Sequence, residues 1–206
     1  MNKDASARII FLDEAYEMAY RVSKQITDSS DSYDIILGIS RGGLPPARMI
    51  SDFLNIETLT SLQISHYARG GVEKEKVDVT DPLNIDIEGK KVLIVDDVND
   101  SGETLKAAYE HVGSLNPADV KTAVLHEKSS TSFNAHYTGS DLSEWKWLIY
   151  QWAVTEDILE FLNKDEMLNA EENKAINHLS EKYGLKINID LFKKIVSMKD
   201  NYFQQT

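Results

Sequence analysis

Residues 92 to 105 read Val92-Leu93-Ile94-Val95-Asp96-Asp97-Val98-Asn99-Asp100-Ser101-Gly102-Glu103-Thr104-Leu105. The four apolar residues at the start have the composition of a strand that is buried on both faces of a parallel sheet. A helix is predicted to begin at about Gly102, directly after the acidic turn. Because open α/β sheets bind ligands at the carboxyl ends of their strands, this turn is a candidate binding site.

The turn has the residues of a phosphate-binding site. Ser101, Gly102 and Thr104 present backbone N–H groups and hydroxyls at a helix start, where the helix dipole favours an anion. Asp96 and Asp97 would repel a phosphate, so they fit better as acceptors for sugar hydroxyls or as partners of hydrated Mg²⁺. Helix capping accounts for one acidic or hydroxyl residue, but not for three carboxylates within five positions. Neither a Walker loop nor a Gly-x-Gly-x-x-Gly motif is present.

The rest of the chain predicts an α/β fold with a mostly parallel central sheet flanked by helices. Predicted strands lie at 33–39, 57–64, 92–95, 120–125 and 147–150, and predicted helices at 7–28, 45–54 and 102–115. This alternation of strand and helix is typical of parallel sheets. The polar stretch at 66–80 is either a solvated hairpin tip or a mobile lid. We expect one domain over residues 1–163 and a helical C-terminal extension over 164–206.

Composition excludes several classes of protein. The 206 residues include 34 acidic and 22 basic side chains, a net charge of −12, and no cysteine. A disulfide scaffold, a thiolate nucleophile and a cysteine zinc site are therefore excluded. The acidic surplus argues against nucleic acid as a general partner. Without an apolar stretch of roughly 18 residues or a secretory leader, we expect a cytoplasmic protein with no membrane partner.

A second candidate loop, Ser40-Arg41-Gly42-Gly43, follows the predicted strand at 33–39. Its glycines permit close backbone approach to a ligand, and the guanidinium of Arg41 offers a fork of donors suited to pyrophosphate. Taken alone, the same residues are also typical of a tight turn.

Residues 92–105 resemble the phosphoribosyl pyrophosphate (PRPP) signature of the type I phosphoribosyltransferases, and the resemblance extends over residues 8–163. It implies that fold, with Asp96 and Asp97 on the ribose hydroxyls, Asp97 placing Mg²⁺, and Asp100–Thr104 around the 5′-phosphate. It also implies a cis peptide at Ser40–Arg41. The implied PRPP-binding residues are Ser40, Arg41, Gly42, Asp96, Asp97, Val98, Asn99, Asp100, Ser101, Gly102, Glu103 and Thr104.

Within the family, the chain resembles the 6-oxopurine enzymes. The resemblance implies that Asp100 is catalytic and handles the N7 proton, that Lys128 contacts O6, that Trp147 stacks on the purine, and that the Leu148 backbone reads the ring edge. An ammonium donates but cannot accept, so Lys128 favours an oxo group over the amino group of adenine. The chain lacks the proline and the carboxylate that relatives carry after the tryptophan; Glu156 or Asp157 is a candidate substitute.

We therefore expect Mg²⁺-dependent transfer of phosphoribose from PRPP to hypoxanthine, guanine or xanthine, which yields a nucleoside monophosphate and pyrophosphate. One alternative is a transferase for adenine, orotate or uracil. Another is a regulator that keeps the fold and senses PRPP. The C-terminal extension lacks a basic run, so we expect it to serve contacts in a homodimer or higher homo-oligomer. Arg69 is a further candidate for a pyrophosphate contact.

Overall fold

The computed structural model describes residues 6–67, 76–81, 83 and 85–203. Its strands are β1 (Ala7–Ile10), β2 (Ile35–Ser40), β3 (Leu59–Tyr67), β4 (Lys76–Asp81), β5 (Lys91–Asn99), β6 (Asp119–Lys128), β7 (Tyr137–Leu142) and β8 (Trp147–Tyr150). Its helices are α1 (Leu12–Asp28), α2 (Leu44–Leu54), α3 (Glu103–Gly113), α4 (Val154–Lys164), α5 (Glu172–Tyr183), α6 (Ile189–Val196) and α7 (Lys199–Tyr202).

The described residues form two compact units. One comprises residues 13–145, and the other joins the residues up to Leu12 with those from Lys146 onward. This boundary does not coincide with the division at residue 163 that the sequence predicts for the family domain, which stays a prediction. Arg69 and most of the predicted hairpin tip lie outside the described residues.

The larger unit contains a six-stranded sheet in the order β4-β3-β2-β5-β6-β7. Every neighbouring pair is parallel except β3 and β4. Apolar side chains of β2, β5 and β6 pack against Leu105, Ala108 and Val112 of α3 to form a buried core. Pro45 and Pro46 lie in the first turn of α2, where a missing backbone N–H costs nothing. The predicted fold class, a mostly parallel sheet flanked by helices, is confirmed.

Two predicted elements need correction, and the strands β4 and β7 of the central sheet were not predicted. Residues 7–10 form β1 instead of the start of a helix, because β-branched Ile9 and Ile10 pair with β8 and Ile10 becomes fully buried. Strand β8 therefore belongs to a separate two-stranded parallel sheet and not to the central sheet. Strand β7, which pairs with β6, was not predicted at all. Its sequence, Tyr-Thr-Gly-Ser-Asp-Leu, lacks an apolar run.

The smaller unit carries the helices that the sequence predicts beyond residue 164. Buried side chains of α4, α5 and α6 form its core, including Leu159, Leu179 and Phe192. Helix α5 ends at Gly184, whose φ of 71° lies in the left-handed region that glycine adopts without strain. Across the described ranges of the chain, the helices are too short or too polar to cross a membrane.

Candidate active site

Two loops meet at the carboxyl edge of the central sheet because their strands are neighbours. Strands β2 and β5 pair in parallel with Gly38 opposite Val95. A loop of residues 41–43 follows Ser40, the last residue of β2, and the turn of residues 100–102 follows β5. The predicted PRPP-binding residues therefore lie at the carboxyl ends of these two neighbouring strands, in the connections that follow them, and in the first turn of α3.

The glycines of the first loop allow it to approach β5 closely. A Cβ atom added to Gly42 would overlap the Asp97 carboxylate, and one added to Gly43 would overlap the carbonyl oxygen of Val95. At Gly43 the overlapping atoms are backbone, so only glycine fits there, whereas a side chain at Gly42 would force the Asp97 carboxylate to move. The Ser40–Arg41 peptide bond is cis, as the family resemblance implies, and Arg41 is exposed.

Asp96 and Asp97 lie within β5, which continues to Asn99 instead of ending at Val95 as predicted. The strand is longer because β6 pairs with it as far as Asn99 and Glu127. The backbone N–H of Asp97 donates to the Asp96 carboxylate at 3.0 Å, and that of Val98 donates to Asp97 at 2.8 Å. Burial raises the pKa of Asp96 well above its ordinary value, and the neighbouring charge of Asp97 raises it further.

The turn after β5 opens helix α3. Gly102 is its N-cap with a φ of 89° and supplies no capping side chain. The Ser101 hydroxyl accepts from the backbone N–H of Glu103 at 3.3 Å. The first N–H groups of α3, near Thr104, thus lie beside a turn with small side chains, which is the arrangement that binds phosphate.

A second segment, residues 129–136 between β6 and β7, supports this turn. Ser132 donates its backbone N–H and its hydroxyl to the carbonyl oxygen of Ser101, at 3.0 and 2.9 Å. A Cβ atom on Gly102 would lie 2.7 Å from the backbone nitrogen of Phe133. The close packing leaves no room for a side chain at Gly102, so the support fixes the shape of the turn.

Asp100 and Lys128 form an ion pair at the ends of β5 and β6. The Lys128 ammonium donates to Asp100 Oδ2 at 2.5 Å, and only 4 % of the Lys128 side chain is exposed. Ser130 donates its hydroxyl to Asp100 Oδ1 at 3.0 Å, and the Trp145 indole donates to the same oxygen at 3.3 Å. The Asp100 carboxylate is therefore held by three donors and does not cap α3. The pair therefore places a hydrogen-bond donor, the Lys128 ammonium, beside an acceptor, the Asp100 carboxylate, next to the turn that opens α3.

Behind this pair lies a buried polar network that sequence reasoning missed. The Asn99 amide donates to Glu127 at 2.9 Å and to the carbonyl oxygen of Phe133 at 2.8 Å. Glu127 also accepts from the Asn134 amide at 2.8 Å and from the backbone N–H of Ala135 at 2.6 Å. Because the amide of Asn99 is committed to these partners, the network positions the turn. The sequence offered one signal for this network: a polar residue, Asn99 or Glu127, directly precedes each member of the ion pair, Asp100 and Lys128.

The predicted base-binding residues Trp147 and Leu148 belong to the smaller unit, where both lie in β8. The Trp147 indole donates to Asp157 at 2.9 Å, and its ring lies 6.5 Å from that of Phe161. Leu148 is buried. Asp157, one of the two candidate substitutes for the missing carboxylate, thus has a partner in its own unit.

The adjacent carboxylates near the end of β5 suit magnesium. Asp97 and Asp96 supply carboxylate oxygens, the ligands that Mg²⁺ prefers. Within the described ranges, no three acidic or histidine side chains are grouped to hold a metal ion by themselves. An ion that is held by one or two carboxylates together with substrate phosphates fits this donor set.

The fold and the turn together define a class of protein. A mostly parallel sheet with a glycine turn at a helix start and adjacent carboxylates at its carboxyl edge defines an α/β protein of the class that binds ligands at that edge. The family model of the phosphoribosyl transferase domain matches residues 10–157. The chain belongs to the phosphoribosyltransferase family and is a phosphoribosyltransferase.

Individual relatives point toward purine enzymes. The chain is 29 % identical over 130 residues to the hypoxanthine-guanine phosphoribosyltransferase of Aquifex aeolicus, covering 60 % of this chain and 72 % of that one. The crystal structure of a purine phosphoribosyltransferase from Pyrococcus horikoshii is similar with a TM-score of 0.60 and 31 % identity, over 70 % of this chain and 93 % of that one. A transcriptional regulator, GfcR of Methanobrevibacter smithii, is 34 % identical over 117 residues, 54 % of this chain and 58 % of its own.

Proposed function

We propose that the protein transfers the 5-phosphoribosyl group of PRPP to N9 of hypoxanthine, guanine or xanthine in purine salvage. The products are the nucleoside monophosphate and pyrophosphate. The observation that carries this proposal is the Asp100–Lys128 pair beside the phosphate turn. An acceptor and a donor side by side complement the N7 proton and the O6 oxygen of a 6-oxopurine.

In this proposal, PRPP binds to the loops that follow β2 and β5 at the carboxyl edge of the sheet. Residues 101–104 hold the 5′-phosphate through backbone N–H groups and hydroxyls at the start of α3. Asp96 and Asp97 accept from the ribose hydroxyls, and Arg41 donates to the pyrophosphate. Asp97 is the proposed Mg²⁺ ligand; the ion, when bound with PRPP, neutralises charge on the leaving pyrophosphate.

The chain's own residues then orient and deprotonate the base. Breaking the bond between C1 and the pyrophosphate oxygen leaves cationic character on the ribose, so fixing both partners in line lowers the barrier. Asp100 takes the proton from N7 as N9 attacks, which is a general-base role. Lys128 donates to O6 and rejects an amino group at that position.

The remaining assignments rest on the family resemblance. Trp147 stacks on the purine, and the Leu148 backbone contacts its edge. We also propose a cytoplasmic homodimer or higher homo-oligomer, in which residues 164–206 form an appended extension.

A second candidate function is a regulator that senses PRPP. The similarity to GfcR of Methanobrevibacter smithii favours it, since the shared segment covers 54 % of this chain. The same donor-binding loops serve a sensor, but a sensor does not need the Asp100–Lys128 pair to act on a base. The two functions therefore differ in product formation.

One assay separates these functions. The purified chain is incubated with PRPP, Mg²⁺ and one base at a time: hypoxanthine, guanine, xanthine, adenine, orotate or uracil. Nucleotide formation with 6-oxopurines alone supports the proposal, and formation with another base assigns a different acceptor. No product with any base, together with a PRPP-dependent mobility shift of DNA, identifies the regulator.

A further inference from the structure

Trp145 covers the side chains that the proposed function assigns to base recognition. Its ring lies over the Lys128 ammonium, with 4.6 Å from Nζ to the ring centroid. Its indole nitrogen donates to Asp100 Oδ1 at 3.3 Å. Trp145 thus contacts both members of the ion pair, and all three residues belong to the larger unit.

Accessibility shows which of these side chains faces the solvent. Trp145 is 44 % exposed, whereas Lys128 is 4 % exposed. The Lys128 ammonium contacts Asp100 on one side and the indole ring on another. With the Lys128 side chain 4 % exposed and its ammonium in contact with both groups, a carbonyl oxygen from a ligand reaches Lys128 only if a neighbouring group moves, and the exposed Trp145 ring is the neighbour that covers it.

We propose that Trp145 is a cap on the Asp100–Lys128 pair, which an incoming base must displace. The cap is a positioning residue: it holds the donor and the acceptor together in the absence of a base and keeps water from the ammonium. Its catalytic consequence rests on the proposed function, whereas its protection of Lys128 follows from the geometry alone. A cation on an indole face is attracted to the ring, so displacement of the cap opposes base binding.

Chemical labelling tests the cap without any enzymatic activity. Reductive methylation followed by peptide mass spectrometry measures the reactivity of Lys128, with exposed Lys90 as the internal reference. We expect Trp145→Ala and Trp145→Leu to raise the labelling rate of Lys128 several-fold. Trp145→Phe, which keeps a ring over the ammonium, stays close to the wild-type rate. Trp152→Phe, which removes a tryptophan from the smaller unit, is the matched control.

Kinetics provide the second measurement. Removal of the cap in Trp145→Ala lowers the KM for the base by about threefold, since the base no longer displaces a ring from a cation. It also lowers kcat, because Asp100 loses a donor that orients it. Trp145→Phe separates the two effects: kcat falls and the KM for the base is unchanged.

Two results would overturn the cap. Equal labelling of Lys128 in Trp145→Leu and wild type shows that the ring protects nothing. A raised KM for the base in Trp145→Ala shows that Trp145 is part of the base-binding surface instead. If wild type forms no nucleotide with any base, the proposed function fails while the labelling result still decides the cap.

Discussion

Asn99 and Glu127 form a buried pair directly behind the proposed catalytic pair: the Asn99 amide donates to the Glu127 carboxylate at 2.9 Å, opposite it in the register of β5 and β6. The next residue along each segment makes the ion pair: Asp100, directly after β5, and Lys128, the last residue of β6. The Asn99–Glu127 pair therefore directly precedes the Asp100–Lys128 ion pair along both segments. Its hydrogen bond fixes the backbone that carries Asp100 and Lys128.

Replacing Glu127 with alanine is expected to destabilise the fold strongly. Glu127 is only 8 % exposed, and its carboxylate accepts hydrogen bonds from the side-chain amides of Asn99 and Asn134 and from the backbone N–H of Ala135. The substitution leaves these three donors without their acceptor. Leaving buried donors unpaired costs about 3 kcal/mol or more. Urea unfolding measures the loss. Glu110→Ala, on the exposed face of α3, is the control, and equal stability of the two variants would contradict the role of the network.

Replacing Asp100 with asparagine is expected to separate chemistry from donor binding. Asparagine keeps the shape of the side chain but cannot take the N7 proton, so kcat falls by about 100-fold or more. The affinity for PRPP, measured by calorimetry, stays close to that of wild type. Asp119→Asn, at the amino end of β6, is the matched control. Wild-type turnover in Asp100→Asn would remove this residue from the mechanism.

Adding one methyl group at Gly42 is expected to abolish PRPP binding. The new Cβ overlaps the Asp97 carboxylate, so either the first loop or Asp97 must move. Gly113→Ala is the control, because nothing lies within 4 Å of a Cβ at that position. Titration calorimetry with PRPP and Mg²⁺ distinguishes the two variants. Unchanged affinity in Gly42→Ala would show that the two loops do not share a ligand.

The smaller unit is expected to lose stability in acid through Asp165. Burial alone would raise the pKa of this carboxyl, but hydrogen bonds from Lys182, His178 and Tyr183 outweigh it and lower the pKa from 3.8 to about 2. A depressed pKa stabilises the folded state above about pH 4, and the stabilisation is lost as the pH falls toward 2.

The magnitude of this acid effect follows from the same pKa. The unfolding free energy of wild type, relative to Asp165→Asn, should fall by about 2 kcal/mol between pH 6 and pH 2. Urea unfolding at several pH values measures it. Exposed Glu181→Gln should follow the wild-type pH dependence throughout, and a constant difference between wild type and Asp165→Asn would refute the assignment.

Strands β2, β5 and β6 of the central sheet were predictable because they carry their own signal. Val92–Val95 is a continuous apolar run that ends in carboxylates, and such a pattern in a parallel strand places ligands at the sheet edge. Residues 7–10 and β7 were not predictable in this way. Pairing with a distant strand decides their structure, and local spacing does not record it.

Some residues of the candidate site could be predicted from the sequence and others could not. The glycines and carboxylates of the two loops carry their chemistry in their own residue types. The contacts of Asn99, Glu127 and Trp145 depend on which strands and loops come together, so the polar residues before Asp100 and Lys128 could hint at a network but not at its partners. Asn99 and Glu127 support the turn after β5, and Trp145 covers the ion pair beside it.

The order of the strands also separates the two substrates along the chain. Every residue assigned to PRPP precedes the connection at 114–118, between α3 and β6, and the residues assigned to the base follow it (Lys128, Trp147 and Leu148), apart from Asp100, which is assigned to both substrates. A recombinant joined with a homologue within that connection would inherit sugar-phosphate recognition from one parent and acceptor preference from the other. On the proposed assignments, such a crossover exchanges the acceptor contacts of Lys128, Trp147 and Leu148, while Asp100 stays with the parent that supplies the PRPP-binding loops.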